Sequence, residues 1–331
     1  MQDLPESRVR QGSGRWKGYT LALVAAVCWA TGGLSAKWLF SPLTQATRGW
    51  PLPPPGIEAD PVVLAGARAL VASIVLLVYV AARKRSHLAL RARDLPFLAV
   101  FGIAGLAAMH VTYFQAISHT NVATAILLEY LAPVIVLAVS VVFLRERITA
   151  ALPIGVLMSV SGCALVVGAF SGPDVRISAP GLAWGLAAAS FFALYSMMGR
   201  YAAPRYSPWT LLVYGLIAAA LFWLVYLGGP GRIVDLTSHP AGALVVVYMA
   251  LFATIVPFGA FLAALHHIDA TQALVVSTLE PVVAAAVAFI LFGEAFSPLQ
   301  LGGGALVIAA IIVVQRYPGA PRIAPELPPA P

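Results

Sequence analysis

Charged residues are scarce in this sequence of 331 residues: only 10% are Asp, Glu, Lys or Arg, whereas 60% are apolar. So little charge excludes an ordinary soluble domain, in which about a quarter of the residues are charged. Cysteine is scarcer still. The only two, Cys28 and Cys163, lie in apolar stretches, where a thiol packs as a small hydrophobe. We therefore expect neither a disulfide nor a metal site from them.

Sequence motifs of the common enzyme classes are also missing. The chain has no HExxH, no Gly-x-Ser-x-Gly, no phosphate-binding loop and no Cys/His spacing typical of a metal site. We therefore expect no enzymatic activity, no cofactor and no metal, and ATP hydrolysis by this chain is excluded on the same ground. An intramembrane enzyme that uses buried carboxylates remains an alternative.

Long apolar runs fill most of the chain. About 20 apolar residues suffice to cross the hydrocarbon core of a bilayer, and ten runs of roughly that length are present. They cover residues 18–40, 61–82, 95–115, 122–144, 151–170, 179–199, 208–228, 241–263, 270–292 and 299–315. The sequence thus predicts an all-α integral membrane protein of ten spans, with polar tails at residues 1–17 and 317–331, the second one disordered.

The basic residues are distributed unevenly between the predicted loops. With the N-terminus in the cytoplasm, fifteen Lys and Arg residues fall on the cytoplasmic side and four on the other, with Arg68 left inside a span. This bias is the positive-inside rule for an even number of spans. The net charge of +7 therefore indicates that both termini are cytoplasmic, and it does not indicate a nucleic-acid partner.

An internal repeat is visible when residues 119–167 are aligned without gaps to residues 267–315, a shift of 148 residues. Ten positions coincide, and apolar matches are common in such a chain, but a shared His, Pro, Glu and Gly are not. These four pairs are His119/His267, Pro133/Pro281, Glu146/Glu294 and Gly155/Gly303. We predict two five-helix units, residues 18–170 and 179–316. Because five is odd, the second unit is inverted in the membrane, an arrangement typical of transporters.

These features resemble the EamA-type members of the drug/metabolite transporter superfamily. The resemblance depends on the 5+5 inverted arrangement, the Pro-Val, Glu and Gly signature of each half, and the segments AVCWATGGLSAK and SFFALYSMMGR. It implies a carrier in the inner membrane of a bacterium, usually an exporter of small metabolites such as amino acids. It also implies a central substrate cavity lined by both halves.

Three formal charges lie well inside the predicted spans, namely Arg68, Glu129 and Glu280. Ionisable groups at that depth are costly and are usually functional. Glu280 is either a contact for a substrate amine or a proton carrier, or else a protonated acid that fixes helix packing. Glu129 and Arg68 either neutralise each other or line the pathway, and in the second case Arg68 binds a substrate carboxylate.

Two prolines follow these acids closely and predict breaks in spans 4 and 9. Pro133 cannot donate to the carbonyl of Glu129, and Pro281 cannot donate to that of Ser277. Each span then exposes a backbone acceptor near the middle of the membrane, which is tolerated where a helix lines a cavity. We expect spans 4 and 9 to face each other across the site.

The remaining candidates are polar, aromatic and glycine positions. Trp29 and Tyr195 either form cavity walls or pack in the core, and His110 and Tyr113 either shape an outer entrance or make structural hydrogen bonds. The signature residues are expected to be structural, with acids at the membrane surface and glycines where helices pack closely. They are Glu146, Glu294, Gly155 and Gly303.

Secondary transport by alternating access is the function that these features favour, with export preferred because of the resemblance alone. An ion channel or facilitator of the same fold is the alternative. The expected partners are a small-molecule substrate, the lipid bilayer and, if transport is coupled, protons, and a monomer already contains both halves. Substrate identity, direction and coupling ion stay open at this stage.

Overall fold

The computed structural model is all-helical in the part of the chain that it describes, residues 4–40, 57, 60–120, 122–146, 148–169, 178–292 and 297–316. No β-strand occurs within these ranges. The α-helices are α1 (Leu4–Phe40), α2 (Pro61–Arg83), α3 (Leu95–Val100), α4 (Ala108–His119), α5 (Val122–Glu129), α6 (Ala132–Val142), α7 (Ala151–Val166), α8 (Ala179–Ala202), α9 (Pro208–Tyr226), α10 (Gly231–Ser238), α11 (Pro240–Ala250), α12 (Val256–Ala264), α13 (Ala270–Ser277), α14 (Leu279–Phe292) and α15 (Pro298–Arg316).

Eight helical segments of the described chain are long and apolar enough to cross a membrane. They are Val62–Arg83, Ala92–His119, Ala123–Val142, Ala179–Ala202, Pro208–Tyr226, Pro240–Ala264, Ala270–Val287 and Pro298–Arg316. Large apolar side chains are exposed on their outer surfaces, among them Val78 and Val225, as expected of helices that contact lipid. The chain is therefore a multi-span membrane protein.

Two helix boundaries differ from the sequence prediction, and one helix was not predicted. Helix α1 begins at Leu4 rather than at residue 18, because its proline, Pro5, lies in the first turn, where it does not interrupt a helix. Helix α7 ends at Val166 and has only 16 residues, fewer than the predicted span. The short α10, which was not predicted, buries Ile233 and Leu236 and leaves its polar residues outside.

Two local irregularities occur in both halves of the chain at nearly the same repeat spacing. A π-helical turn at Phe101–Ala107 joins α3 to α4, and a second one at Leu251–Ile255 joins α11 to α12. The break after α5 follows Glu129, and the break after α13 follows Ser277, 148 residues later (277 − 129). Each break comes shortly before a proline, Pro133 or Pro281, whose missing N–H interrupts the helical ladder.

Glycines bring α7 and α15 into close contact. A Cβ atom added to Gly155 would clash with Val314, and one added to Gly162 would lie 2.8 Å from the carbonyl oxygen of Gly303. Small residues of this kind let membrane helices approach backbone to backbone. Gly155 and Gly303, predicted as packing residues, lie at this contact, together with Gly162, which was not predicted.

Substitution of Gly303 by alanine is expected to weaken this contact. The new Cβ would lie 2.6 Å from Cβ of Leu165 and 2.7 Å from the oxygen of Gly162, and such overpacking costs about 1–3 kcal/mol. Gly302→Ala is the matched control, because nothing lies within 4 Å of a Cβ at that position. In detergent, Gly303→Ala should unfold several degrees below Gly302→Ala, and equal unfolding temperatures would contradict the packing.

The two ends of the bundle are held by different polar contacts. At one end, which we call the Arg200 end, Arg200 donates from Nη1 to the carbonyl oxygen of Leu265 at 2.7 Å, and its Nη2 lies 3.6 Å from Oδ1 of Asp269. At the opposite end, the Asp60 end, Arg232 donates to Oδ2 of Asp60 at 3.0 Å. The contacts at the Arg200 end join α8 to the turn before α13. The contact at the Asp60 end joins the first half of the chain to the second.

Candidate functional site

The two helix breaks are joined by a side-chain hydrogen bond. Tyr130, in the turn between α5 and α6, donates from its hydroxyl to Oε2 of Glu280 at 2.6 Å. Glu280 is the second residue of α14, directly after the other break. Tyr130 is 3% exposed, so this bond lies inside the bundle. The breaks of the two halves therefore meet at one place, with a carboxylate between them.

Polar side chains from four parts of the chain surround this bond. Arg68 on α2, which is 9% exposed, lies within electrostatic range of Tyr113, Glu129 and Glu280. His110 lies within range of Arg68. We call this group of six the polar cluster: Arg68, His110, Tyr113, Glu129, Tyr130 and Glu280. The three charged residues singled out in the sequence thus lie together, and not as isolated charges facing lipid.

Arg68 does not form a close pair with one acid. In the described part of the chain, no carboxylate lies within 4.0 Å of its guanidinium. It is instead shared between Glu129 and Glu280 at longer range. With Arg68 charged and both carboxylates ionised, the polar cluster carries one net negative charge. An unbalanced charge in a membrane interior is costly, so the cluster is suited to take up one positive charge.

His110 and Tyr113 lie within the polar cluster. Nδ1 of His110 is 2.6 Å from the carbonyl oxygen of Leu106, and because a carbonyl only accepts, Nδ1 carries the proton. The ring packs edge-on against Phe258 with centroids 5.7 Å apart. This hydrogen bond fixes the ring and leaves Nε2 as its acceptor atom.

An aromatic layer adjoins the polar cluster through Phe258. Trp29 packs against Phe258 and Phe261 at centroid distances of 5.2 and 5.6 Å, and Tyr195 packs against the same two rings at 5.6 and 6.0 Å. Nε1 of Trp29 and the hydroxyl of Tyr195 are buried, and neither has a hydrogen-bond partner in the part of the chain that is described. Buried polar atoms without partners are rare and call for an explanation.

Sequence reasoning missed Tyr130. The residue follows Glu129 directly, at the break that Pro133 predicts, and a tyrosine at such a position was the available signal. The hydroxyls of Ser277 and Thr278 were also missed. They donate to the carbonyl oxygens of Ala273 and Val275 at 3.0 and 2.7 Å, and in this way they satisfy acceptors just before the second break.

The two signature acids lie away from the polar cluster or outside the described residues. Glu146 follows α6, and its backbone N–H donates to the carbonyl oxygen of Ser140 at 3.0 Å. The preceding residue, Arg145, has a φ of 51°, so the chain leaves the helix through a left-handed turn. Glu294 lies outside the residues that the structure describes.

Removal of the Tyr130 hydroxyl is expected to destabilise the protein. Tyr130→Phe deletes a buried hydrogen bond to an ionisable acceptor, a loss of about 1.5–3 kcal/mol. Tyr195→Phe is the matched control, because it deletes a buried hydroxyl that has no partner among the described residues. Thermal unfolding in detergent should place Tyr130→Phe several degrees below wild type and Tyr195→Phe at or above it. The reverse order would show that the Tyr130 bond contributes nothing.

Comparison with known proteins identifies the family. The EamA-like transporter family pattern matches the chain twice, over residues 56–168 and 179–316. The chain belongs to the EamA-like transporter family. It is therefore a membrane transporter of a small-molecule substrate and not an enzyme, as the sequence predicted.

Individual EamA relatives are similar over most of the chain. A protein of Streptantibioticus cattleyicolor named "Probable terminal-alkyne amino-acid exporter" is 32% identical over 68% of this chain and 75% of its own length. The pseudopaline exporter CntI of Pseudomonas aeruginosa is 29% identical over 73% of this chain and 82% of its own. The uncharacterized inner membrane transporter YicL of Salmonella typhimurium is 24% identical over 92% of this chain and 96% of its own.

A solved crystal structure has the same fold. It superposes with a TM-score of 0.73, covers 91% of this chain and 96% of its own, and is 21% identical in sequence. The helical arrangement described above is thus one that is known from experiment.

Proposed function

We propose that this EamA transporter is a secondary active exporter of a small amino-acid-like metabolite across the inner membrane, and that it works by alternating access. The observation that carries the proposal is the polar cluster, in which one arginine and two carboxylates from both halves of the chain meet at two helix breaks. A molecule with an amine and a carboxylate matches these charges. Two relatives are named exporters, which supports export as the direction of transport. One of them is named an amino-acid exporter, which supports the substrate class.

The proposal includes two inverted five-helix halves, residues 18–170 and 179–316. In its favour, the family pattern matches once in each half, and the π-turns and helix breaks recur between them. Packing partners also correspond: α1 packs on α12 of the second half, and α8 packs on α4 of the first. Halves of this kind can rock against each other around a fixed central site. A monomer already supplies both halves, so we propose that one chain suffices.

We propose further that both termini are cytoplasmic. Two contacts at the Arg200 end support this, because each joins segments that are both predicted to be cytoplasmic. Gly18 in α1 lies against His267 and Ile268, and Arg200 lies against Asp269. The predicted outer segments meet at the other end, where Ser178 donates to the carbonyl oxygen of His119 at 2.8 Å. The positive-inside bias assigns the Arg200 end to the cytoplasm.

The carboxylates of the polar cluster suggest how protons could drive export. Either a proton or the ammonium of a substrate can neutralise the carboxylate of Glu280. Because the two compete for one place, a proton that enters from outside would displace the substrate there, and a substrate that binds inside would release the proton. The carboxylate of the substrate would pair with Arg68. The unpartnered Trp29 Nε1 and Tyr195 hydroxyl offer further donors to a bound molecule.

Counterflow distinguishes this carrier from a channel of the same fold. Proteoliposomes loaded with an unlabelled amino acid are diluted into trace labelled amino acid, over a panel of side chains. An alternating-access carrier accumulates label transiently above equilibrium, since each outward step returns with a labelled molecule. A channel or facilitator without exchange only equilibrates. Absence of an overshoot for every member of the panel would overturn the proposal for amino-acid substrates.

A further inference from the structure

An open pocket lies at the Arg200 end, apart from the polar cluster. It lies between the segment after α2 and the segment that joins α8 to α9, and its volume is about 670 Å³, within the range of small-ligand pockets. Arg91 and Arg93 line it from the first segment, and Arg205, Ser207 and Thr210 from the second. We call this cavity the basic pocket. Nothing in the transport cycle proposed above uses it.

Hydrogen bonds between the two segments preform the basic pocket. Nδ1 of His87 lies 2.8 Å from Oγ of Ser207, and Thr210 donates from Oγ1 to the carbonyl oxygen of His87 at 3.0 Å. The hydroxyl of Tyr214 donates to the carbonyl oxygen of Leu88 at 2.8 Å. Three bonds thus join the segment after α2 to Ser207 and to the first turns of α9 and fix their separation, so a ligand would not have to order them.

The charge of the basic pocket is poorly neutralised. In the described part of the chain, no carboxylate lies within 4.0 Å of Arg91, Arg93 or Arg205. The one acid in the lining is Asp94. Burial raises the pKa of Tyr206, and the neighbouring Asp94 raises it further, so this phenol is neutral at physiological pH. Three arginines against one acid favour an anionic ligand.

Aromatic rings place the basic pocket at the depth of lipid headgroups. The rings of Tyr79 and Trp209 lie 5.5 Å apart, and Nζ of Lys84 lies 5.1 Å above the Trp209 ring. The exposed Tyr201 lies beneath the guanidinium of Arg205, a lining residue, at 5.1 Å. Partly exposed Trp and Tyr rings of membrane proteins concentrate at the interface between headgroups and acyl chains.

We propose that the basic pocket binds the phosphate headgroup of an anionic phospholipid, with Arg91 and Arg93 as the main phosphate ligands. Positive pockets between helices at the cytoplasmic face suit such headgroups, and arginine forms two parallel hydrogen bonds to phosphate oxygens. A lipid is favoured over a soluble anion because the ring of the exposed Tyr201 contacts the lining residue Arg205, and such rings lie at the interface between headgroups and acyl chains. The bound lipid would hold the segments after α2 and α8 together.

Lipid binding to the purified protein in detergent tests this proposal. Phosphatidylglycerol, phosphatidylcholine and inorganic phosphate are titrated separately, and binding is followed by native mass spectrometry and by the rise in unfolding temperature. Wild type should bind phosphatidylglycerol more tightly than phosphatidylcholine. Arg91→Gln/Arg93→Gln should weaken phosphatidylglycerol about twenty-five-fold, about fivefold for each arginine near an anionic headgroup.

The matched control is Arg83→Gln/Arg85→Gln, which removes two charges from the same region outside the lining of the basic pocket. It should change the affinity for phosphatidylglycerol less than about twofold. An equal loss in both double variants would overturn the proposal in favour of a diffuse positive surface. Equal binding of the two lipids, or binding of inorganic phosphate as tight as that of phosphatidylglycerol, would also overturn it. Both arginine pairs are exposed, so the variants should elute as wild type does.

Discussion

Glu280→Gln is expected to reduce export driven by a pH gradient strongly while it leaves downhill exchange at saturating substrate largely intact. Glutamine has nearly the shape of glutamate, and its side-chain oxygen can accept the hydrogen bond of Tyr130, so the helix breaks should still meet. It neither takes up a proton nor attracts an ammonium group. A charge-assisted hydrogen bond contributes about 1.5–3 kcal/mol, so gradient-driven flux should fall about ten- to a hundredfold.

Flux into proteoliposomes, measured with and without an imposed pH gradient, gives this result directly. Asp235→Asn is the control, because Asp235 is an exposed acid on α10, and its loss should change neither flux. If Glu280→Gln and wild type respond equally to the gradient, Glu280 is a packing residue and the proton is carried elsewhere in the polar cluster. That outcome would redirect attention to Glu129.

Arg68→Gln is expected to raise the KM for substrates that contain a carboxylate by about ten- to a hundredfold, the loss of one charge-assisted hydrogen bond. The arginine is nearly buried and has no carboxylate within 4.0 Å among the described residues, so its donors are available to a ligand. The rise in KM should be confined to substrates that contain a carboxylate. An amine that lacks this group should be transported with the same KM by wild type and variant.

Arg68→Lys keeps the positive charge but not the planar fork that suits a carboxylate. It should therefore restore stability fully and affinity only in part. The opposite pattern would contradict a role in binding. In that case Arg68→Gln would unfold at a lower temperature, but the ratio of the KM values for the amino acid and its amine would be unchanged. Arg68 would then only neutralise the charge of the two acids.

Much of the helical framework could be predicted because it depends on local chemistry. Apolar runs are visible in any membrane segment, and a missing proline N–H interrupts a helix wherever it falls, as it does before Pro133 and Pro281. The π-turns could not be predicted, since the backbone bonds from residue i to residue i−5 in such a turn compete with those of an ordinary helical turn by a small energy difference. Packing of neighbouring helices decides that competition.

The polar cluster shows the same limit. The sequence placed Arg68, Glu129 and Glu280 inside spans, and their cost in a membrane marked them as candidates. The sequence could not show which acid Arg68 would approach. In the structure Arg68 lies within electrostatic range of both Glu129 and Glu280. The contact of Tyr130 with Glu280 joins residues 150 positions apart, and the repeat does not predict it, because the counterpart of Tyr130 is Thr278. Only the meeting of the two breaks reveals that pair.

We expect a proton and a substrate ammonium to compete for the carboxylate of Glu280 in the polar cluster. Proton release on substrate binding measures this competition. The amino acid found by counterflow is added to the purified protein in weakly buffered detergent solution with a pH-sensitive dye. Wild type should release about one proton per molecule bound, since one positive charge replaces another, and Glu280→Gln should bind without release. Binding to wild type with no proton release at any pH would contradict the account.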